Sequence, residues 1–228
     1  MEYAVFDWDY TVRDGYTLFH WIDYICNKGI ISSDLKMDLA DMQSRYDCGE
    51  ISHDEYADMA CIRYARAMRG ISEDALHDDL LKFIENDEKY FFPFTEALFQ
   101  QMFRHKILPV VITGAPLPIL RQYKERFHLH SIYAFEAETD AGTYTGRVRR
   151  NCGFNKEQTV RELAARYNAP PLFGFGDSSS DIPLLQAARH AVCINTHGCL
   201  RSPKKITYLP NTASPEELSG ILTAMLDT

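Results

Sequence analysis

Short apolar runs that end in polar residues, alternating with longer amphipathic stretches, constrain this chain more than any other feature. Tyr3–Phe6, Ile107–Ile112, Ser131–Phe135, Leu172–Phe175 and Ala191–Ile194 are runs of strand length. Amphipathic stretches lie near 94–105, 116–127, 155–167 and 180–188. This alternation predicts an α/β fold, a parallel sheet core with helices on both faces. In such sheets a ligand meets the carboxyl ends of the strands. The polar residues fall there: Asp7 and Asp9 after the first run, Thr113-Gly114 after the second, Gly176-Asp177 after the fourth.

Residues 15–90 break the alternation. They read as consecutive helices without a strand, punctuated by Gly29 and Gly49, with Gly70-Ile71-Ser72 as a helix stop followed by an N-cap. The expected organisation is therefore an α/β core of residues 1–14 and 91–228 and an inserted all-helical segment of residues 15–90. Glu136–Arg149 reads as a β-hairpin turning at Asp140-Ala141-Gly142. The 228-residue chain has a formal net charge of −8, and the segment 15–90 carries all of that excess, with 8 Lys+Arg against 16 Asp+Glu. Such a balance argues against a nucleic-acid or anionic-membrane surface. No apolar run is long enough to span a bilayer. The six cysteines form no Cys-x-x-Cys pair, and MEYAVFDWDY lacks the basic-then-apolar pattern of a leader. A cytoplasmic monomer or homodimer is the expectation.

Four elements carry the chemistry. In VFDWDYTVRDG, Asp7 and Asp9 stand two apart at a strand end, so their side chains face one way. Close carboxylates raise one another's pKa, which suits one to nucleophilic or ligand work and the other to general acid work; a polar strand end capping a turn is the alternative. In VVITGAP, Thr113 and Gly114 read as a phosphate-binding turn at a helix N-terminus, or as a plain N-cap. Lys156, opening the helix in NKEQTVREL, reads as a cation for phosphate and carboxylate, or as a surface lysine. In LFGFGDSSSDIPLLQAA, Asp177 and Asp181 read as oxygen ligands of a hydrated magnesium site, or as a serine-rich cap.

In their order and shared placement these four segments resemble the haloacid dehalogenase-like hydrolase superfamily, in its phosphoserine-phosphatase-like branch. The resemblance covers about residues 1–15 and 91–210, including GDSSSDIPLLQAARHAVCINTHGCLR. It implies a Rossmann-like core and a helical cap after the first motif. It also implies a role for each matching residue. Asp7 attacks phosphorus and becomes an aspartyl phosphate. Asp9, absent from dehalogenases, protonates the leaving alcohol and then deprotonates water. Mg²⁺ is held by Asp7, the Asp9 backbone carbonyl and Asp177, with Asp181 supporting the shell. Thr113, Gly114 and Lys156 bind the phosphoryl group.

The implied activity is Mg²⁺-dependent hydrolysis of a small phosphorylated metabolite. Transfer of the phosphoryl group to a second alcohol needs the same residues and is the closest alternative. A receiver-like signalling module fits less well, because its acceptor aspartate lies on an internal strand. The resemblance thins in the cap. Phosphoserine phosphatases carry a glutamate seven residues after the second motif aspartate, where this chain has Tyr16, and a cap arginine that neither Arg63 nor Arg66 matches in register. Phosphoserine is therefore not favoured. Tyr16, His20 and Tyr24, spaced i, i+4, i+8, instead offer a polar-aromatic face to roof the site, while Leu18, Trp21, Ile22 and Ile25 read as cap core.

Overall fold

The computed structural model describes residues 1–194, 200 and 205–227. Cys199 and the rest of residues 195–199, part of the last motif, lie outside the described residues. The first strand, β1 (Tyr3–Phe6), is buried throughout. Its alternate side chains feed two cores: Ala4 and Phe6 enter one, Tyr3 and Val5 the other. A strand buried on both faces reads as a continuous apolar run, which is why YAVF shows no polar alternation.

β1 pairs in parallel with β2 (Leu108–Pro116) on one side and with β5 (Phe173–Gly176) on the other. β3 (Ser131–Asp140) adds in parallel beyond β2, and β4 (Thr143–Asn151) folds back on β3 as an antiparallel hairpin. Its turn falls at Ala141 and Gly142, both with positive φ, the conformation a two-residue hairpin loop needs. β6 (His190–Ile194) and β7 (Ile206–Leu209) complete the order β4-β3-β2-β1-β5-β6-β7. The chain builds outward from β1 in both directions, so the strand order reverses there and opens a crevice at the carboxyl ends.

Four helices lie between β1 and β2: α1 (Thr17–Asn27), α2 (Asp34–Asp47), α3 (His53–Ala67) and α4 (Glu73–Asp87). Gly29, Gly49 and Gly70 have positive φ where helices end. Trp21 centres their packing, edge-on to Phe83 and donating its indole N–H to Tyr64 Oη at 3.0 Å. Among the described residues, backbone hydrogen bonds tie this insertion to the rest at two places. Its connections run side by side, Asp14 N donating to Tyr90 O (2.8 Å) and Phe92 N to Val12 O (3.2 Å). Farther off, Gly70 N donates to Tyr144 O, Tyr144 N to Ile71 O, and Glu73 N to Gly142 O, so the β3–β4 hairpin clasps the turn before α4.

After the insertion come α5 (Thr95–Arg104), α6 (Leu117–Gln122), α7 (Lys156–Tyr167), α8 (Ile182–Ala187) and α9 (Pro215–Leu226). Leu98, Phe99 and Leu218 from α5 and α9 pack into one core, and Val160, Leu163 and Leu184 from α7 and α8 into the other. Helices thus cover both faces, as expected. Two details differ from the sequence reading. α6 stops at Gln122, after which tight turns lead to His128 with positive φ. β7 and α9 were not anticipated. Among the described residues, no helix is long and apolar enough to cross a membrane.

Candidate active site

The charged end of the site is built from the ends of β1 and β5 and the start of α7. Asp7 follows β1 directly, and its backbone N–H still bonds Phe175 O at 3.0 Å. The carboxylate meets Lys156 Nζ at 3.0 Å. That lysine opens α7, is buried, and also lies 2.5 Å from Asp181 Oδ1. The other oxygen of Asp181 accepts from the backbone N–H of Asp177 (3.0 Å) and Ser178 (3.1 Å) and from Ser178 Oγ (3.2 Å). Asp181 is thereby held between a lysine and its own loop. Gly176 is required for this, because a Cβ there would stand 2.3 Å from Asp181 Cβ. Asp177 accepts from Thr11 Oγ1 at 3.3 Å.

Oxygens of Asp7, Asp177 and Asp181 lie within 4.8 Å of one another. Crowding and burial set their electrostatics. Burial pushes Asp7 up to about 7, with Lys156 opposing and Asp181 and Asp9 adding to the rise. Burial and then the charges of Asp181 and Asp7 push Asp177 up to about 9. For Lys156, burial works to lower the pKa, but the charges of Asp181 and Asp7 outweigh it and hold the ammonium protonated. Hard oxygen donors that repel one another fit a divalent cation such as Mg²⁺, whose charge would relieve the repulsion.

Asp9, two residues on, has different company. Its Oδ1 accepts from Thr17 N (3.0 Å) and Thr17 Oγ1 (2.5 Å) at the start of α1, and from Arg13 at 3.3 Å. Burial raises its pKa, against Arg13 and Thr17. Tyr10, in the left-handed region, turns the chain after it. Arg13 is the residue the sequence reading missed. Its guanidinium is fully buried and donates to Asp9, to Gly15 O (2.9 Å), to Thr17 Oγ1 (3.0 Å) and to Asp87 Oδ1 (2.7 Å). Asp87, equally buried, also accepts from Tyr123 Oη at 2.9 Å. A basic residue four after Asp9 was a visible signal for Arg13; nothing local points to Asp87.

Thr113 and Gly114 border the same space, but not at a helix N-terminus as the spacing predicted. β2 runs on to Pro116, and α6 begins only at Leu117. Between the pairs Ile112↔Tyr133 and Pro116↔Phe135 the register shifts, leaving Thr113, Gly114 and Ala115 opposite Ala134 alone. The bulge releases this stretch from the ladder, and Thr113 Oγ1 accepts from Ala115 N at 3.1 Å. The loop before Lys156 presses against it: a Cβ on Gly153 would stand 2.9 Å from Gly114 Cα and N. Asn151, also unforeseen, fixes that loop by accepting from Gly153 N (3.1 Å) while its amide donates to Cys61 Sγ (3.3 Å).

These groups floor a cavity of about 880 Å³, counting its open mouth, that continues up between α1 and α3. Of the two roof residues expected from the sequence, Tyr16 lines it, its hydroxyl 3.2 Å from His53 Nε2. His20 is not among the lining residues. Its ring lies against Tyr90 and its Nδ1 is 2.9 Å from Arg13. Burial, then Arg13, lowers its pKa, as befits a neutral ring accepting from a guanidinium. Tyr24 also points away, donating to Asp79 at 3.0 Å. The expected stripe fails because Tyr16 is the N-cap of α1, not part of its helical turn. The face that meets the cavity carries Leu18 and Phe19 instead.

Residues 4–186 match the family model described as haloacid dehalogenase-like hydrolase. The chain belongs to that family. A curated relative, a probable phosphatase of Mycobacterium tuberculosis, is 38% identical over 72 residues; the match covers 30% of this chain and 25% of that protein. In fold the chain is similar to a protein of unknown function from Bordetella pertussis Tohama I, with TM-score 0.69 and 19% identity, covering 98% of this chain and 95% of that one. It is similar also to a probable phosphoserine phosphatase from Vibrio cholerae in unliganded form, with TM-score 0.69 and 17% identity over 99% of this chain and 65% of that one.

Proposed function

We propose that the protein is a Mg²⁺-dependent phosphatase that hydrolyses a small phosphate monoester through an aspartyl phosphate on Asp7. Family membership and the phosphatases among its likenesses support a phosphatase. The observation that carries the finer reading is the division of labour between two carboxylates two residues apart. Asp7 faces Lys156 at 3.0 Å within the acidic cluster, while Asp9 is turned onto Thr17 and Arg13.

In this reading an Asp7 oxygen attacks phosphorus and the bond to the ester oxygen breaks. Asp9, whose burial favours the protonated form, gives its proton to the departing alkoxide. The Asp9 carboxylate then takes a proton from water, whose oxygen attacks phosphorus and releases Asp7. Lys156 and the Thr113-Gly114 turn hold the phosphoryl oxygens, since this chemistry needs alignment and positive charge above all. Asp7, Asp177 and the Asp9 carbonyl would hold Mg²⁺, with Asp181 orienting Lys156 and the Asp177 loop. When bound, the ion would supply positive charge beside the phosphoryl oxygens. Residues 1–14 and 91–228 then form the catalytic core, and residues 15–90 a cap. The test is phosphate release from p-nitrophenyl phosphate. Turnover should require a divalent ion, stop in excess chelator, and fall at least about 10³-fold in Asp7→Asn, the scale of losing a covalent nucleophile. Full turnover in chelator would overturn the reading.

A further inference from the structure

Resting on that phosphatase reading, the structure also points to what the phosphate is attached to. Beyond the acidic floor the cavity wall changes character. Leu18 and Phe19 of α1 face Tyr56 and Ala60 of α3, with Tyr16 and Phe154 toward the opening. The rings are mutually packed, Tyr16 edge-on to Phe19 at 5.4 Å and Phe19 tilted against Tyr56 at 5.6 Å. Such a collar offers apolar area and ring faces, and few partners for negative charge.

The charged groups of the cavity are already committed. Lys156 is the one Lys or Arg among its described lining residues, and it bonds Asp7 and Asp181. The other basic side chain, His53, is engaged by the Tyr16 hydroxyl. Arg63 of α3 is turned to the surface, paired with Asp38 at 2.5 Å. A carboxylate or second phosphate on the leaving group would therefore lie near Asp9 and Asp177 with no free guanidinium or ammonium among the described lining residues to meet it, at a large desolvation cost.

We propose that the substrate is a phosphate monoester of a ring-bearing alcohol without an anionic group, whose apolar body occupies the collar between α1 and α3 while its phosphate lies on Asp7.

The experiment compares kcat/KM for benzyl phosphate with ethyl phosphate, glycerol phosphate, O-phosphoserine and phosphocholine. Benzyl and ethyl alcohol are similarly poor leaving groups, so for that pair binding and not bond strength decides, while serine and choline leave more readily and a low rate for their esters reflects poor binding. Benzyl phosphate should exceed ethyl phosphate roughly tenfold or more, the scale a hydrophobic pocket supplies, and phosphoserine should be lowest. In Phe19→Ala, and more mildly in Phe19→Leu should the first fold poorly, the benzyl-to-ethyl ratio should fall toward one. Equal rates for benzyl and ethyl phosphate, preference for phosphoserine or phosphocholine, or an unchanged ratio in both variants would overturn the proposal. Acetyl phosphate separates the two layers. If it is hydrolysed while the esters show no preference, the substrate inference alone fails. If neither it nor any ester is hydrolysed, the phosphatase reading fails and takes the inference with it.

Discussion

The floor and the roof of the cavity are made on opposite principles. At the floor, buried polar side chains are matched one to another: Lys156 to Asp7 and Asp181, Asp9 to Thr17 and Arg13, Asp177 to Thr11. At the roof, Leu18, Phe19 and Tyr56 present packed apolar surface. Groups fixed by reciprocal hydrogen bonds pre-organise charge, which on the proposed reading serves a reaction common to any phosphate ester. Apolar walls select by shape and desolvation and leave the chemistry alone. The lesson is that the two regions should fail differently when disturbed.

The sharpest separation is expected from Asp9→Asn. Loss of the proton donor should lower kcat about 10²–10⁴-fold for alkyl phosphates, and far less for p-nitrophenyl phosphate, whose leaving group needs little protonation. Equal losses on both substrates would remove Asp9 from the acid role. Roof substitutions should show the reverse signature, following the body of the substrate and not its leaving-group pKa.

The second way to break the comparison lies at the joint between the regions. Arg13 and Asp87 form an ion pair at 2.7 Å with neither side chain exposed. Replacing one partner strands a buried charge, so Asp87→Asn should lower unfolding free energy by about 3–5 kcal/mol. Arg63→Ala, which breaks the half-exposed pair with Asp38 on the insertion surface, should cost less than about 1 kcal/mol. Urea melts of the two variants check this, and similar losses would mean that the joint is no more rigid than the surface.

How far the sequence foretold each region follows from the same contrast. Asp7, Thr113, Asp177 and Asp181 could be placed at the carboxyl ends of strands because strand and helix periodicity puts them there, and the fold class followed from that alternation; Lys156 joined them only through the family resemblance. Thr113 was placed at a helix N-terminus because local spacing does not reveal the bulge that carries β2 on to Pro116. Arg13 and Asp87 are 74 residues apart, so their pairing depends on how the insertion closes on itself. Helical spacing separated Leu18 from His20 correctly as different faces, yet it gave no means of knowing which face meets the cavity. Leu18 read as interior packing and does lie in the core, yet it lines the site as well; His20 read as a roof residue and packs on Arg13 and Tyr90.

A smaller effect probes the floor alone. Asp7 and Asp177 have folded-state pKa values near 7 and 9, raised from an ordinary 3.8. Between pH 4 and 9, roughly, the ion-free folded state holds protons that the unfolded state has lost, so its stability declines as pH rises. Cation binding removes those protons and relieves the repulsion. The gain in melting temperature on adding Mg²⁺ should therefore be a few degrees larger at about pH 9 than at about pH 6. A gain independent of pH would detach the ion from these carboxylates.

The central claim is that Asp7 carries the phosphoryl group while Asp9 moves the proton. Its most direct measurement is to incubate the Asp9→Asn variant with acetyl phosphate and Mg²⁺, whose good leaving group bypasses the missing acid. Reduction with borohydride and mass-spectrometric peptide mapping then locate the modified residue. Modification of Asp7, absent when Asp7→Asn is added, is the predicted result; modification elsewhere, or turnover of acetyl phosphate by the Asp7→Asn protein, would contradict it.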